Sequence, residues 1–385
     1  MNILIQIPQL IFGGAEKVLV SFANDLVSRG HQVEVLETYE KGLLKDQFDP
    51  RVTFHAICSK EYTQKYYMSL AQIKATKGLD KLAGCGKLAF SKVVGYRRFA
   101  EKLAAKHYES RSFDVAINYL EIDSPEFLLT HIHAKRYLQW YHTDIGNLEH
   151  PEETDALIPW FSKMDHIICV AESARKNFVS RYPQLKNKTA VLYNYFDTDT
   201  ILAKGTEPFS FAGPSPIVLS VGRMTEPKKY LRFLDVLARL KSEGFTFGWH
   251  VLGAGIQESE IREKIANSGL DDCVFLDGLT DNPYKYMKNC DLFVLPSGWE
   301  GFPTVTIEAK TLGCPVLATD VSGIREQLRH GETGWIVDNN ADAIYCGLKF
   351  LLTHPETITK LKDNSRMEHI LSNDEKHQQF LSLCH

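Results

Sequence analysis

Two glutamates eight residues apart stand where the chain is richest in candidate chemistry. Glu300 lies in a glycine-containing loop after an apolar run, and Glu308 lies in the helical pattern that follows Pro303. We expect both carboxylates to reach one ligand, because the loop and the first turns of the helix meet at the carboxyl end of a strand. The free N–H groups of Phe302 and Thr304 face an anion at the same place. The spacing therefore predicts an anion site beside two carboxylates.

Two further clusters offer groups that bind phosphate. Arg223 and Lys229 flank a loop between an apolar run and a helical pattern that begins near Tyr230. A guanidinium fork and an ammonium group suit a diphosphate and stabilise it as it leaves with extra negative charge. The turn Gly13-Gly14 lets backbone approach a phosphate or sugar at a helix N-terminus. Each cluster alone is more typical of a solvated surface or an ordinary turn.

The elements that must position these residues alternate between short apolar runs and helical patterns. Gly13-Gly14 precedes a predicted helix over Ala15–Ser28, and a loop-like stretch, Asp197–Pro216, divides the chain into two α/β units. The predicted strands are Asn2–Ile7, Gln32–Leu36, Val115–Tyr119, Tyr137–Tyr141, Ile167–Val170 and Ala190–Leu192, then Ile217–Val221, Trp249–Leu252, Val274–Leu276, Leu292–Leu295, Val316–Ala318 and Trp335–Val337. Two doubly wound parallel sheets enclose a cleft, where such folds bind ligands.

Length and composition fit this organisation. The chain has 385 residues, 44% of them apolar, and a net charge of -4, which predicts a soluble globular protein with two domains. We expect a cytosolic protein, because the sequence contains no membrane-spanning apolar run and its start lacks the basic region of a signal peptide. The eight cysteines are scattered without a C-x-x-C pair. We expect buried thiols rather than a zinc knuckle or a disulfide framework.

A basic segment, Lys60–Arg111, contains twelve Lys/Arg and four Asp/Glu, interleaved with aromatic and aliphatic residues. Such a segment could rest on an anionic membrane surface or hold an anionic acceptor. Solvated helix faces over an ordinary core give the same pattern. Both interpretations stay open at this point.

Eight short motifs stand in order along the chain. They are Gly13-Gly14-Ala15-Glu16-Lys17, Tyr141-His142-Thr143-Asp144, Val191-Leu192-Tyr193-Asn194, Gly222-Arg223 with Glu226-Pro227-Lys228-Lys229, Asp291-Leu292-Phe293-Val294-Leu295-Pro296-Ser297, Glu300-Gly301-Phe302-Pro303 with Glu308-Ala309, Gly313-Cys314-Pro315-Val316 and Gly331-Glu332-Thr333-Gly334. The series resembles retaining GT-B glycosyltransferases of family 4 (glycosyl transferases group 1), of the bacterial polysaccharide-biosynthesis type. The resemblance is strongest over Ile217–Asp338 and weakest over Tyr39–Arg111.

The resemblance implies a fold, a reaction and residue roles. The fold is two Rossmann-like domains facing across a cleft: residues 1–196, with a terminal helix 372–385 packed back on them, bind the acceptor, and residues 197–371 bind a nucleotide sugar. The implied donor contacts are Arg223 and Lys229 to the diphosphate, Gly14 across the cleft, Glu308 to the ribose, Leu279 beside the base, Glu300 and the backbone of Phe302, Pro303 and Thr304 to sugar and phosphate, and His142 beneath the sugar. The catalytic set comprises Glu300, His142, Arg223 and Lys229.

The same resemblance implies a UDP-linked donor, no catalytic metal, and a lipid-linked or polysaccharide acceptor in the synthesis of a cell-surface glycan such as capsule or lipopolysaccharide. The protein would act in the cytoplasm or on the cytoplasmic face of the membrane, without a nucleic-acid partner. The chain departs from the family pattern at Tyr230 and Tyr195, where glycine commonly follows a lysine and Asn194, and at Pro303.

Two other functions remain open at this point: a UDP-sugar 2-epimerase of the same fold, and an inactive sugar-binding scaffold. Other motifs are discounted. Leu252-Gly253-Ala254-Gly255 lacks the third glycine of a dinucleotide site, since residue 258 is glutamate. Asp197-Thr198-Asp199 is interpreted as an exposed turn, and His131 with His133 as one face of a strand edge.

Overall fold

The computed structural model describes residues 1–11, 13–67, 70–148, 150–367 and 372–385. Phe12 of the glycine turn and Met68 of the basic segment lie outside these residues. The described chain forms two parallel sheets, each flanked by helices. The two-domain α/β fold predicted from the alternating apolar runs is confirmed.

The first sheet has seven strands in the order β3-β2-β1-β4-β5-β6-β7. These are β1 (Asn2–Ile7), β2 (Gln32–Tyr39), β3 (Thr53–Cys58), β4 (Ser112–Asn118), β5 (His133–Tyr141), β6 (His166–Cys169) and β7 (Thr189–Val191). All neighbours pair in parallel. Chain order reverses between β1 and β4, so connections leave their carboxyl ends in opposite directions and open a crevice there.

The second sheet has six parallel strands in the order β10-β9-β8-β11-β12-β13. These are β8 (Ile217–Val221), β9 (Gly248–Leu252), β10 (Val274–Gly278), β11 (Leu292–Leu295), β12 (Val316–Thr319) and β13 (Trp335–Val337). Its order reverses between β8 and β11, the strands that carry the Arg223 and Glu300 loops at their carboxyl ends. The two clusters predicted to share a ligand are therefore neighbours.

The helices cover both faces of each sheet. They are α1 (Gly14–Ser28), α2 (Lys60–Tyr66), α3 (Leu70–Ala75), α4 (Gly78–Phe90), α5 (Tyr96–Tyr108), α6 (Glu126–His131), α7 (Glu152–Asp155), α8 (Ile158–Phe161), α9 (Glu172–Arg181), α10 (Thr198–Gly205), α11 (Tyr230–Ser242), α12 (Glu258–Asn267), α13 (Tyr284–Asn289), α14 (Thr304–Thr311), α15 (Ile324–Gln327), α16 (Ala341–Thr353), α17 (Pro355–Met367) and α18 (Asn373–Cys384). Among the described residues, no helix has the length and apolar character needed to cross a membrane.

Helix α18 packs on the first sheet rather than the second. Phe380 is fully buried in the core of that sheet, where its ring centroid lies 5.2 Å from that of Phe22. The helix begins with a capping box formed by Ser372 and Glu375. Asn373 Nδ2 donates to the carbonyl of Phe196 at 2.9 Å, which ties the start of α18 to the segment that leads into the second sheet.

Two elements depart from the sequence prediction. The edge strand β3 forms although its apolar pattern is weak, because it needs only one partner, β2. The stretch Asp197–Pro216 is not wholly a loop, since α10 forms within it. Asp197 caps that helix by accepting from the Thr200 N–H at 2.9 Å, and Ile201 is buried against the second sheet. Asp197 is therefore a helix cap rather than a turn residue.

The structure also corrects the predictions for two histidines and three cysteines. His131 ends α6 and His133 begins β5, so the two histidines do not share a strand face. Five cysteines are buried as expected: Cys58, Cys169, Cys273, Cys290 and Cys314. The expectation of burial is wrong for Cys85 and Cys346, which are exposed, and for Cys384, which is half-buried.

Candidate active site

The amino-terminal ends of α1 and α14 face each other across the cleft. A Cβ atom placed on Gly14 would lie 3.5 Å from Thr304 Oγ1, so the two helices approach to van der Waals contact at their first residues. Helix α1 follows Gly13 and α14 follows Pro303, and neither residue caps its helix with a side chain. Each helix directs first-turn N–H groups and the positive end of its dipole toward the same space. An anion between the domains is stabilised from both sides.

The carboxylate of Glu16 folds back over the start of α1. A Cβ atom on Gly13 would lie 2.1 Å from Glu16 Oε2, so the carboxylate packs directly on that glycine. Burial raises the pKa of Glu16, while a hydrogen bond from its own backbone N–H and the charge of Arg223 act in the opposite direction. The first domain thus places its own carboxylate at this helix end, within electrostatic range of the second domain.

Glu300 is held on the other side of the cleft by two donors. Lys228 Nζ donates to Glu300 Oε1 at 2.6 Å, and Ser297 Oγ donates to the same oxygen at 2.7 Å. The loop itself is fixed, because Thr319 Oγ1 donates to the carbonyl of Ser297 at 2.6 Å. Among the described residues, both hydrogen bonds to the Glu300 carboxylate use Oε1, so Oε2 can accept from a ligand hydroxyl.

Lys228 and Lys229 point in different directions. Lys228 reaches Glu300, whereas Lys229 pairs with a glutamate of its own loop and lies over the ring of Trp299, 5.0 Å from its centroid. Lys229 has a φ of 51°, the left-handed conformation that favours glycine, and Tyr230 begins α11. The resemblance implied a lysine at 229 and a glycine position at Tyr230. In the structure the left-handed position is Lys229 itself, one residue before Tyr230.

Arg223 lies in the loop after β8 and is exposed. The neighbouring loop after β9 packs closely on it, since a Cβ atom on Gly253 would lie 2.0 Å from the carbonyl oxygen of Gly222. The run Leu252-Gly253-Ala254-Gly255, discounted above as a dinucleotide motif, therefore supports the backbone that carries Arg223. The guanidinium is left at the cleft, within range of Glu16.

Glu308 is the most deeply buried charged residue of the predicted site, with 7% of its surface exposed. Burial raises the pKa of Glu308, and the charge of Lys17 on α1 and a hydrogen bond from Tyr284 oppose the rise. Because the pKa of Glu308 is higher in the folded state than in the unfolded state, the free energy of unfolding decreases as the pH rises from the unfolded-state pKa to the folded-state pKa. A ligand diol that donates to the carboxylate would offset this loss.

His142 follows β5 on the first-domain side. Glu121 accepts from the backbone N–H groups of His142 and Thr143, at 3.1 and 2.9 Å. His142 Nε2 is buried without a hydrogen-bond partner among the described residues. Burial lowers the pKa of His142, which keeps its imidazole neutral at neutral pH. A Cβ atom on Gly301 would lie 1.9 Å from His142 O, so the Glu300 loop rests directly on this backbone.

The remaining predicted residues lie around this centre. The Phe302 ring packs against Tyr193 of the first domain, with centroids 5.5 Å apart. Pro303 precedes α14. Leu279 follows β10, two strands from β8 in the sheet order, and is 78% exposed. The structure therefore brings the helix starts, His142, the Glu300 loop and α14 together, with Leu279 on the rim.

Sequence reasoning missed several contacts of the site. Lys228 and Ser297 stood within the quoted motifs, but their sequence does not show that Lys228 reaches Glu300 and Lys229 does not. Glu16 also stood in a motif, but its backward fold over Gly13 depends on side-chain geometry. Glu121 carried no signal, because its role follows from the pairing of β4 with β5.

Among the described residues, one group of three side chains could hold a metal ion: Glu34, His55 and His107. None belongs to the predicted site. Arg111 already donates to Glu34 and lies 2.9 Å from His107 Nε2, so a cationic side chain fills this cluster.

Solved structures of known proteins share the fold of this chain. Anabaena Alr3699/HepE, in complex with UDP, superposes with a TM-score of 0.73 over 99% of each chain at 14% identity. TarM of S. aureus superposes with a TM-score of 0.77 over 100% of this chain and 99% of that chain, also at 14% identity. The chain has the GT-B fold.

Residues 206–368 match the family model described as Glycosyl transferases group 1. A Campylobacter jejuni relative, N-acetylgalactosamine-N,N'-diacetylbacillosaminyl-diphospho-undecaprenol 4-alpha-N-acetylgalactosaminyltransferase, is 32% identical over 194 residues, which cover 50% of this chain and 52% of that protein. The match thus spans about half the length of this relative.

Proposed function

We propose that the protein transfers a sugar from a UDP-sugar to a lipid-linked or polysaccharide acceptor during synthesis of a bacterial cell-surface glycan, with retention of configuration and without a metal ion. The observation that carries the proposal is the pair of helix starts that meet at Gly14 and Thr304, with Arg223 within electrostatic range of the first of them. A diphosphate matches this concentration of positive charge. The UDP complex of HepE and the diphospho-undecaprenol acceptor in the name of the Campylobacter relative support the two substrate classes.

Lys228, rather than Lys229, supplies the lysine of this site in our proposal. Lys228 Nζ lies 2.6 Å from Glu300 Oε1, whereas Lys229 faces Glu226 and Trp299. The charges of Arg223 and Lys228 then flank the diphosphate, Glu308 accepts from the ribose hydroxyls, and Leu279 lies beside the base.

The reaction is substitution at an anomeric carbon with an oxocarbenium-like transition state. The bond from this carbon to the diphosphate oxygen breaks, and an acceptor hydroxyl attacks on the same face and gives its proton to a phosphate oxygen. Negative charge grows on the diphosphate as it leaves, so Arg223, Lys228 and the start of α14 stabilise the transition state more than the ground state. Glu300 and His142 position the sugar through hydrogen bonds.

We also propose that the Lys60–Arg111 segment contacts an anionic membrane surface. Three of its apolar side chains project into solvent among the lysines: Leu79, Leu82 and Val93 are 83%, 69% and 84% exposed. Apolar groups amid basic ones suit the boundary between acyl chains and anionic headgroups.

Vesicle sedimentation tests this surface. The protein should pellet with phosphatidylglycerol-containing vesicles and remain in solution with pure phosphatidylcholine, because the lysines need anionic lipid. The double variant Leu79→Gln/Leu82→Gln should lose most of the binding and keep its fold, since both side chains are exposed. Equal sedimentation with the two vesicle types would reject the proposed surface.

A thermal-shift and UDP-release screen with EDTA tests the enzymatic proposal. UDP and one UDP-sugar should raise Tm in the presence of EDTA, because a ligand that binds only the folded state stabilises it with the logarithm of concentration over Kd. Release of UDP with sugar on the acceptor supports the transferase. An epimerised donor without net transfer would identify an epimerase instead, and the absence of any shift would favour a scaffold.

A further inference from the structure

A second contact joins the two domains away from the cleft centre. Helix α9, between β6 and β7 of the first sheet, begins after Ala171, which has no side-chain acceptor to cap it. Glu326 of α15, between β12 and β13 of the second sheet, supplies the cap. Its Oε2 accepts from the Glu172 N–H at 2.8 Å, and its Oε1 accepts from the Ser173 N–H at 2.9 Å. A carboxylate of the second domain thus caps the amino-terminal end of a helix in the first domain.

Two hydroxyl groups complete this arrangement. Ser173 Oγ donates to Glu326 Oε1 at 2.8 Å, and Tyr193 Oη donates to Oε2 at 2.9 Å. Every donor belongs to the first domain. In addition, the Gly323 N–H of the second domain donates to Ser173 Oγ at 3.0 Å. Hydrogen bonds to an ionised acceptor at a helix start are about twice as strong as neutral ones.

The residues just before α15, the helix that contains Glu326, contact the candidate active site. A Cβ atom on Gly323 would lie 2.7 Å from the Phe302 ring and 3.1 Å from Gly301 O. Tyr193, which donates to Glu326, also packs on Phe302. The contacts around Glu326 therefore fix the same loop that rests on the His142 backbone.

We propose that Glu326 is a positioning residue: it clamps the second domain onto the first and so holds the Glu300 loop over His142. Without its carboxylate, the start of α9 loses its cap and the second domain loses four hydrogen bonds to the first. The domains then spend more time apart. Donor binding needs both helix starts, so its apparent affinity falls with the fraction of closed protein.

The distance between the domains provides a test that is independent of activity. The exposed cysteines Cys85 and Cys346 lie one in each domain and take spin labels without an added residue; Cys384 is replaced by serine in every sample. In Glu326→Ala, the label-to-label distance distribution should shift to longer values and broaden. Glu326→Gln should fall between the two, because its amide oxygen still accepts but carries no charge.

Glu356→Ala is the matched control, an exposed glutamate in the same domain, and should leave the distances unchanged. An unaltered distribution in Glu326→Ala would overturn the clamp. The second readout is the Kd for UDP, which rests on the proposed function and should weaken about tenfold in Glu326→Ala. Longer distances with an unchanged Kd would overturn the positioning role. Longer distances in a protein that binds no UDP, wild type included, would support the clamp and reject the proposed donor.

Discussion

Lys228→Met is expected to lower kcat/KM for sugar transfer by about 100- to 1000-fold, the range found when one preorganised donor is removed from a charge-stabilising site. The substitution keeps the length of the side chain and removes its charge. It withdraws a cation from the leaving diphosphate and deprives Glu300 of the bond from Lys228 Nζ at 2.6 Å. Steady-state kinetics with saturating acceptor measure the effect, and thermal unfolding checks that the fold is kept.

Lys229→Met is the matched control, since it makes the same chemical change one residue along the chain. Its side chain lies over Trp299 and pairs with the exposed Glu226, and such pairs contribute little. We expect a change in kcat/KM of no more than about threefold. A larger loss in Lys229→Met than in Lys228→Met would favour Lys229 as the lysine that binds the diphosphate, as the family resemblance implied, and would reject the proposal for Lys228.

Gly301→Ala is expected to weaken UDP binding and lower kcat/KM by about 100-fold, because a displacement near 1 Å in an active site has effects of this order. The added methyl group would lie 1.9 Å from His142 O and 3.0 Å from its carbonyl carbon. These are backbone atoms, so relief requires the Glu300 loop to move away from the first domain. Titration calorimetry with UDP measures the loss of affinity.

Gly86→Ala makes the same substitution where it meets open space, inside α4. Alanine at an exposed helical position is more stable than glycine by about 1 kcal/mol, so this variant should bind UDP as the wild type does. Equal UDP affinity in Gly301→Ala and the wild type would show that the domains need not meet at His142.

Much of the fold could be predicted because parallel strands buried on both faces are short apolar runs. Ile217–Val221 and Leu292–Leu295 appear in the structure with their predicted bounds. β3 is different, since its side chains are only partly covered and its sequence carries little of this signal. Helix α10 was not predicted for a related reason. It is stabilised by one buried apolar side chain, Ile201, and by the Asp197 cap, and a single apolar residue does not form a periodic pattern.

The placement of the candidate site residues was predictable where it follows from position in a strand–loop–helix unit, as for Glu300 and Glu308. It was not predictable where a role depends on a contact between residues that are distant in sequence. Glu121 positions His142 through strand pairing, and Glu326 reaches α9 from the opposite domain. Neither residue has a local signature, because the partner of each is distant in sequence. Lys228 and Lys229 differ in backbone conformation and in side-chain partners, and two adjacent lysines in a sequence do not reveal either difference.

The position of the Glu16 side chain affects the free energy with which the cleft would bind an anion. The Glu16 carboxylate lies at the start of α1 and interacts electrostatically with Arg223. An anion that binds at the start of α1 would therefore displace this carboxylate. Binding there is an exchange, and its free energy is the difference between the contacts of the two anions. A single small anion gains little from such an exchange. A ligand that spans both helix starts would gain the contacts at α14 as well, so we expect the cleft to select extended polyanions over simple ions.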